Sequence, residues 1–308
     1  MSESVEAAVE CLVDYAAHTG ESPTWSITEQ ALYWIDIEQP ALHRFNPSKH
    51  NDQHWMLPSS VGGIALHAAG DHVLLGLRDG LYEMRLSDHG IHPLAAPPFE
   101  PSLFRFNEAA CDPYGRLWLG TMFDPLTPTA TLPAEAKRQP WHVYTEEHGL
   151  VAKPDFAEIP NGLAWSADGR TMYAAHSQDE VIYAFDYHAP EATFSQRRRF
   201  ATIDPSDGIP DGCAIDEVGG YWSALHGGGR LRRFHADGRF DRDIRLPVSL
   251  PTMCAFGGPR LDELYVTSAT AKLTAAQRAR EPLAGKLLRL RPGISGRPPR
   301  LYGAATRA

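Results

Sequence analysis

Short runs of alternating apolar and polar residues recur along the chain, and one apolar phrase returns six times. The phrase occupies Ala31–Ile37, Val73–Leu77, Arg116–Gly120, Arg170–Ala175, Gly220–Ala224 and Glu263–Thr267. Each run has the length and the β-branched or aromatic content of a strand. Subtracting the numbers of the aligned residues Tyr33, Leu74, Trp118, Tyr173, Trp222 and Tyr265 gives steps of 41, 44, 55, 49 and 43. A period of about 40–50 residues with several strands per unit is typical of a β-propeller.

A second strand-like run follows each phrase. These runs are Leu42–Phe45, Leu81–Met84, Trp141–Tyr144, Val181–Phe185, Arg230–Phe234 and Lys286–Leu290. Turn signals such as Asp112–Gly115 and Ala167–Gly169 precede several phrases. A β-sandwich also has short strands, but it would not repeat one phrase at this spacing. We therefore predict an all-β, six-bladed β-propeller formed by residues 1–308 as a single domain, whose N-terminal segment helps to close the last blade.

The composition indicates a soluble protein. Of the 308 residues, 43% are hydrophobic, and the net charge of −9 argues against binding to nucleic acid or to an anionic membrane. The sequence contains neither a membrane-spanning apolar run nor a recognisable secretory signal. The four widely spaced cysteines are typical of core residues in a reducing compartment, and they are Cys11, Cys111, Cys213 and Cys254. We expect a cytoplasmic location.

Several common chemistries lack their motifs. The chain has no G-x-S-x-G elbow, no H-E-x-x-H pair and no Walker loop. Gly227–Gly229 resembles a phosphate loop, but it lies between predicted strands and does not open a helix, so a tight turn is favoured. The histidine pairs His50/His54 and His89/His92 are assigned to polar surface connections.

Oxygen-bearing side chains recur just before the repeated phrases, where a propeller strand enters the central channel. They are Glu21, Ser60, Asn107, Asn161, Asp211 and Thr252. Pro-Asn-Gly and Pro-Asp-Gly are also ordinary turn tripeptides, which is the alternative explanation for Asn161 and Asp211. The same register in successive blades would bring these oxygens to one axis. Two carboxylates and one or two amides would suit a hard divalent cation.

The chain resembles the senescence marker protein, gluconolactonase and luciferin-regenerating enzyme family from Gly20 to about Gly293. The most specific stretches are Asn161–Arg170, Pro210–Gly212 leading to Gly227–Gly229, Pro251–Gly258 and Pro282–Leu287. The resemblance implies one divalent metal in the channel, held by Glu21, Asn161 and Asp211. It also implies that Arg105 and Asn107 bind substrate.

Three positions depart from the pattern of that family. Glu108 and Ala109 replace the usual Asp-Gly after Asn107, and Glu108 is predicted to join the substrate-binding residues. His176 follows Ala175 where an aspartate is common, and His226 stands where tryptophan is frequent. Together with Ser60, these two histidines are candidates for lining the channel. A buried, hydrogen-bonded position is the alternative for His176.

The activity that this resemblance implies is hydrolysis of a sugar lactone to the aldonic acid, in sugar oxidation metabolism. Gluconolactone, arabinonolactone and xylonolactone are representative substrates. The metal would polarise the carbonyl, and Asp211 would act as general base. Oxygen ligands admit calcium, magnesium or manganese, and residue types alone also leave zinc and ferrous iron open. No organic cofactor, nucleic-acid partner, membrane or protein partner is indicated.

Two other functions stay open. A propeller esterase or phosphotriesterase-like hydrolase could use the same metal site, although polar residues such as Arg105 favour a sugar. A non-catalytic calcium-binding propeller would have no need of a metal with open coordination positions.

A long insertion separates two strands of the third blade. It runs from residue 123 to 140 and contains four prolines. Long ordered loops in compact domains often have a function, so we expect this segment to cover the channel mouth. A passive surface insertion is the alternative.

Overall fold

The computed structural model describes residues 4, 5 and 8–304, and its strands form six sheets that are antiparallel apart from one short parallel pair. The first three sheets are β3–β6 (Gly20–Ser26, Ala31–Asp36, Ala41–Asn46, Asn51–Met56), β7–β10 (Val61–Leu66, His72–Leu77, Gly80–Arg85, Ile91–Ala95) and β11–β14 (Phe104–Cys111, Leu117–Phe123, Gln139–Thr145, Gly149–Ala157). The last three are β15–β18 (Pro160–Trp165, Thr171–His176, Val181–His188, Thr193–Thr202), β19–β22 (Ile209–Ile215, Tyr221–His226, Arg230–Phe234, Phe240–Arg245) and β23–β25 (Pro251–Gly257, Glu263–Ser268, Leu287–Leu290) with β2 (Glu10–Val13).

These sheets are the blades of a propeller, which confirms the predicted fold. Each innermost strand contacts the innermost strands of both neighbouring blades, and β23 contacts β3 to close the ring. The repeated phrase forms the second strand of every blade. In the sixth blade the outermost strand is β2, from the beginning of the chain. In the fifth blade, β1 (Ser4–Val5) runs parallel to the outer strand β22.

Helices are short and peripheral. Helix α1 covers Ala134–Lys137, and α2 covers Ala275–Arg280 with a capping box between Thr274 and Gln277. Single 3-10 turns occur at Ser177–Asp179 and Pro205–Asp207. Within the described residues, neither helix has the length and apolar character that crossing a bilayer would require.

The core lies between adjacent blades. Tyr33 and Ile35 of the first blade, for example, pack with Ile64 and Leu75 of the second, and all four side chains are buried. Because a blade is apolar on both faces, it is stable only between two neighbours. Closing the ring therefore leaves no described blade with an exposed core face.

Every innermost strand has a break in register near its entry end. The breaks fall between Glu21 and Thr24, Val61 and Ile64, Asn107 and Ala109, Asn161 and Ala164, Pro210 and Cys213, and Pro251 and Cys254. A β-bulge bends its strand and re-aims the side chains at that point. The six bulges lie at equivalent positions, so they form one layer around the channel. The polar residues singled out in the sequence lie in or next to this layer.

The C-terminal segment closes the other end of the channel. Gly296 N donates to Leu261 O in a turn of the sixth blade (2.7 Å), and Tyr302 N donates to Leu66 O at the end of β7 in the second blade (2.9 Å). A cavity of about 190 Å³ lies between this segment and the inner strands. It is lined by small and apolar residues of those strands and by Arg297–Arg300. Access to the polar layer is therefore from the end where the inner strands begin.

Gly162 provides a test of how tightly the bulge layer is packed. Its φ is +55°, and a Cβ there would lie 2.3 Å from Tyr221 Oη and 3.0 Å from Asp211 O. Gly149 has a similar φ of +63°, but a Cβ there would meet nothing within 4 Å. We expect Gly149→Ala to lower the free energy of unfolding by about 1 kcal/mol, the backbone cost alone. Gly162→Ala should cost about 1–3 kcal/mol more because of overpacking. Urea unfolding measures both values, and equal losses would contradict this account of the layer.

Candidate active site

Three carboxyl groups in the bulge layer lie close enough to affect one another's ionisation. Glu21 comes from β3, Glu108 from the bulge of β11 and Asp211 from the bulge of β19. Burial raises the pKa of Glu21 to about 7, and burial together with the negative charge of Glu21 raises the pKa of Glu108 to about 8. Burial and the charges of Glu21 and Glu108 raise the pKa of Asp211 well above its ordinary value. Buried carboxylates with this mutual repulsion favour a bound cation or retained protons.

The backbone of Glu108 is held in an unusual conformation. Its φ is +62°, in the left-handed region that a residue with a side chain rarely adopts. The carboxylate accepts hydrogen bonds from Ala109 N (3.2 Å) and Leu163 N (3.4 Å). Glu108 therefore joins the third blade to the bulge of the fourth, with its charge beside the other two carboxylates. Sequence reasoning grouped it with the substrate-binding residues, because a positive φ at a glutamate cannot be read from the residue type.

Two amides continue the polar layer from the third blade to the fifth. Asn107 Nδ2 donates to Asn161 Oδ1 (2.8 Å) and to Pro160 O (2.9 Å). Asn161 Nδ2 then donates to Ser177 Oγ (2.9 Å), whose hydroxyl donates to Pro210 O (2.6 Å). Because Asn161 accepts at Oδ1 from Asn107 and donates from Nδ2 to Ser177, the orientation of its amide is fixed. One lone pair of its oxygen remains for a further partner.

Arg105 lies at the edge of the same layer. Its Nη1 donates to Asn107 Oδ1 (2.8 Å) and Phe106 O (2.9 Å), and its Nε donates to Asp124 Oδ2 (3.1 Å). The positive charge of Arg105 lowers the pKa of Glu21, against the larger effect of burial. The structure thus brings Arg105 and Asn107 together and links both to Asn161.

His226 lies beside Asp211. Its Nδ1 is 3.6 Å from Asp211 Oδ2, and burial lowers the pKa of the imidazole to about 4. The ring is therefore neutral at pH 7 and supplies no charge to Asp211. Lys272, which follows the second strand of the last blade, lowers the pKa of Asp211 and was not identified from the sequence.

The other predicted channel residues have partners of their own. Ser60 Oγ accepts from Arg78 Nε (3.0 Å) at the entry end of the second blade. Thr252 is buried, and its hydroxyl bonds to Gly20 O and Thr267 Oγ1 between the sixth and first blades. The contacts of Thr252 are those of a packing residue.

Of the two interpretations of His176, the contacts favour the buried, hydrogen-bonded one. Its Nε2 is 2.9 Å from Asp155 Oδ2 on the outermost strand of the third blade, and its ring packs on Tyr183. Only 1% of the residue is exposed. The ring therefore lies between the third and fourth blades, against Asp155, and does not face the three carboxyl groups of the channel.

The long insertion leaves the third blade at the entry end of the channel. Phe104 of β11 pairs with Phe123 of β12, so the loop begins beside the start of the innermost strand. Arg138 at its end binds Asp179, at the same end of the fourth blade. The segment therefore lies on the side from which the polar layer is reached.

A histidine cluster lies on the outer strands of the first blade. His43, Asp52 and His54 place ligand atoms within 4.8 Å of one another. His54 lies within β6, so its assignment to a connection was wrong; likewise His92 lies in β10. His43 Nδ1 is 2.7 Å from Asp52 Oδ2, and the rings of His43 and His54 stack at 5.2 Å. Imidazole lone pairs lie in the ring plane, so two stacked rings do not direct their lone pairs at a common point. We therefore assign the cluster to packing.

The donor set of the channel fits a hard divalent cation. Its oxygen atoms are those of the carboxyl groups of Glu21, Glu108 and Asp211 and of the Asn161 amide, the ligand types that calcium, magnesium and manganese prefer. The charges of Arg105 and Lys272 offset the three carboxylates only in part, because burial still raises all three pKa values and the neighbouring carboxylates raise those of Glu108 and Asp211 further.

Comparison with known proteins gives consistent relatives. A 6-deoxy-6-sulfogluconolactonase of Pseudomonas putida is 34% identical over 290 residues, covering 94% of this chain and 96% of the relative. Regucalcin of Xenopus laevis is 32% identical over 285 residues, covering 92% and 93% of the two chains. The crystal structure of a calcium-binding protein, regucalcin, from Agrobacterium tumefaciens superposes with a TM-score of 0.89 at 23% identity, covering 99% and 100% of the chains.

The family comparison covers most of the propeller. The model for the SMP-30/Gluconolactonase/LRE-like region matches residues 19–270, from the first strand of the first blade to the last blade. That range includes every residue of the polar layer described above. The chain belongs to the SMP-30/gluconolactonase/LRE-like family.

Proposed function

We propose that this protein is a metal-dependent lactonase that opens a sugar lactone to its aldonic acid. The observation that supports the proposal most strongly is the convergence of the buried Glu108 carboxyl, the partly buried carboxyls of Glu21 and Asp211 and an oriented amide oxygen beside Arg105. Membership of a family with lactonase relatives agrees with it. A polar layer of this kind suits a substrate rich in hydroxyls better than an apolar ester or phosphotriester.

The proposed ligands are Glu21, Asn161 and Asp211, with Glu108 as a further oxygen beside them. When bound, a divalent cation would act as a Lewis acid toward the lactone carbonyl and would favour the ionised carboxylates around it. Asp211 is the proposed general base, because its carboxylate can accept a proton from the attacking water. As the water oxygen bonds to the carbonyl carbon, Asp211 takes one of its protons; the bond between the carbonyl carbon and the ring oxygen then breaks, and the ring oxygen takes that proton from Asp211 to become a hydroxyl.

Substrate recognition is assigned to Arg105 and Asn107. Arg105 uses Nε and Nη1 within the protein, and in the described residues no hydrogen bond involves its Nη2. That edge can donate to sugar hydroxyls. Asn107 donates its two amide protons to Pro160 O and Asn161 Oδ1. It therefore contributes to recognition mainly by orienting its neighbours. We propose that the 123–140 loop covers the bound sugar.

Removing a proposed ligand should remove both the metal and the activity. We expect Glu21→Gln, Asn161→Ala and Asp211→Asn to lower metal content and turnover on aldonolactones such as gluconolactone, arabinonolactone and xylonolactone. Asp211→Asn should cost about 10²–10⁴-fold in kcat from loss of the base alone. Metal content is measured after chelation and reloading, with calcium, magnesium, manganese, zinc and ferrous iron in separate arms.

Glu147→Gln is the control for this experiment, since the side chain of Glu147 is 84% exposed. Full lactone turnover after exhaustive chelation would refute metal dependence. Metal binding without turnover of any lactone would favour the calcium-binding alternative, and turnover of aryl esters or phosphotriesters alone would favour the other hydrolases.

The metal-free protein should show the repulsion among the carboxylates in its pH dependence. Glu108 ionises near pH 4.5 when unfolded and near pH 8 in the fold, so between these values the folded state holds more protons. Raising the pH through that window therefore favours unfolding. We expect Glu108→Gln to gain thermal stability relative to the unmodified chain as the pH rises from about 5 to about 8 in a chelating buffer. Glu147→Gln should show no such gain, and a pH-independent difference for Glu108→Gln would contradict the assignment.

Arg105→Ala and Asn107→Ala should have different effects. Without Arg105, we expect kcat/KM to fall about 10- to 100-fold through KM, the loss typical of a charged hydrogen bond, with metal content unchanged. Asn107→Ala also frees the Asn161 amide, so metal affinity should fall as well. The control is Arg239→Ala, because Arg239 is 77% exposed and binds only Asp237 among the described carboxylates. Unchanged kinetics for a metal-replete Arg105→Ala variant would show that Arg105 does not bind the substrate.

A further inference from the structure

Arg78 makes an unusual number of contacts for a residue outside the polar layer. It follows β8 of the second blade, and its side chain is 11% exposed. Nε donates to Ser60 Oγ (3.0 Å), and Nη1 donates to the carbonyl oxygens of Pro101 (3.1 Å), Phe104 (3.2 Å) and Asp124 (2.8 Å). Nη2 forms an ion pair with the Asp124 carboxylate. The guanidinium is therefore held on all three nitrogens.

Asp124 joins Arg78 to Arg105. The same carboxylate oxygen, Oδ2, accepts from Arg78 Nη2 and from Arg105 Nε. Burial lowers the pKa of Arg105, the charge of Asp124 opposes that shift, and the charge of Arg78 adds to it. Asp124 thus separates two guanidinium groups that would otherwise repel each other.

The second blade has no polar side chain in its own bulge. Gly62 and Gly63 occupy that position, and a Cβ at Gly62 would lie 1.8 Å from Phe106 O. The second blade therefore acts on the site through the side chain of Arg78. Its effect passes through Asp124, which begins the long insertion.

We infer that Arg78 is a positioning residue for substrate recognition, acting through Asp124 to fix the plane of the Arg105 guanidinium. With Nε on Asp124 and Nη1 on Asn107 and Phe106, Arg105 presents its Nη2 edge in one orientation. Loss of Arg78 would leave Asp124 free to turn and Arg105 free to change rotamer. This inference rests on the proposed lactonase function and on the role of Arg105 in it.

The test is a double-mutant cycle on metal-loaded full-length protein with an aldonolactone substrate. We expect Arg78→Gln and Asp124→Asn each to raise KM about tenfold, within the range of couplings between contacting residues. Metal content should not change, and kcat should stay within about twofold because no proposed ligand or base is altered. In the Arg105→Ala background, Arg78→Gln should change KM by less than about twofold, because the group it positions is absent.

Arg85→Gln is the matched control, an arginine of the same blade whose side chain is 43% exposed and lies near Asp88 and His92. It should leave KM unchanged. If Arg78→Gln fails to fold, Asp124→Asn serves alone, since it keeps the three backbone carbonyls that bind Arg78.

Each outcome decides the inference. A KM increase that is equally large with and without Arg105 would overturn it. A variant in which the melting temperature and kcat both fall while KM is unchanged would also overturn it. If the unmodified protein turns over lactone and Arg78→Gln and Asp124→Asn both keep its KM, only the inference fails. If the metal-loaded unmodified protein hydrolyses no aldonolactone, the proposed function fails and the inference fails with it.

Discussion

The close approach of six inner strands around one axis is the constraint on which the site depends. A Cβ at Gly62 would lie 1.8 Å from Phe106 O, and one at Gly63 would lie 2.5 Å from Ala109 Cβ, both across the contact between β7 and β11. Straight strands at this separation would leave little room for polar side chains facing the channel. A bulge in every inner strand relieves the crowding and re-aims one or two residues inward. The narrow ring and the convergent polar layer therefore have one physical cause.

The same closeness creates the electrostatic problem that a cation would resolve. Glu21, Glu108 and Asp211 are attached to strands packed into a closed ring, so their carboxylates cannot separate without disturbing the core between blades. Burial raises all three pKa values, and repulsion by neighbouring carboxylates adds to the shifts of Glu108 and Asp211. Arg105 and Lys272 act on individual members of the set. The fold thus gathers carboxyl groups whose ionisation it disfavours, an arrangement that is common at functional sites.

Much of this arrangement could be predicted from the sequence, because a repeat with a fixed register places equivalent residues at equivalent points of a ring. That register predicts Glu21, Asn161 and Asp211 as members of a set of six positions around the channel, and the family resemblance then implies that these three hold the metal. The position of Glu108 among the carboxylates depends on its φ of +62°, which residue type does not indicate. The link from Arg78 to Asp124 spans 46 residues along the chain and two blades, so no local pattern predicts it.

Proton release on metal binding tests the central claim most directly. If the three carboxylates form the cation site, the metal-free protein retains protons on them at pH 7, and a bound cation displaces these protons. Calorimetric titration with calcium in buffers of different ionisation enthalpy measures the number released. We expect about one proton or more per bound cation, and fewer for Glu108→Gln. Cation binding without proton release, or release that Glu108→Gln does not change, would contradict the account.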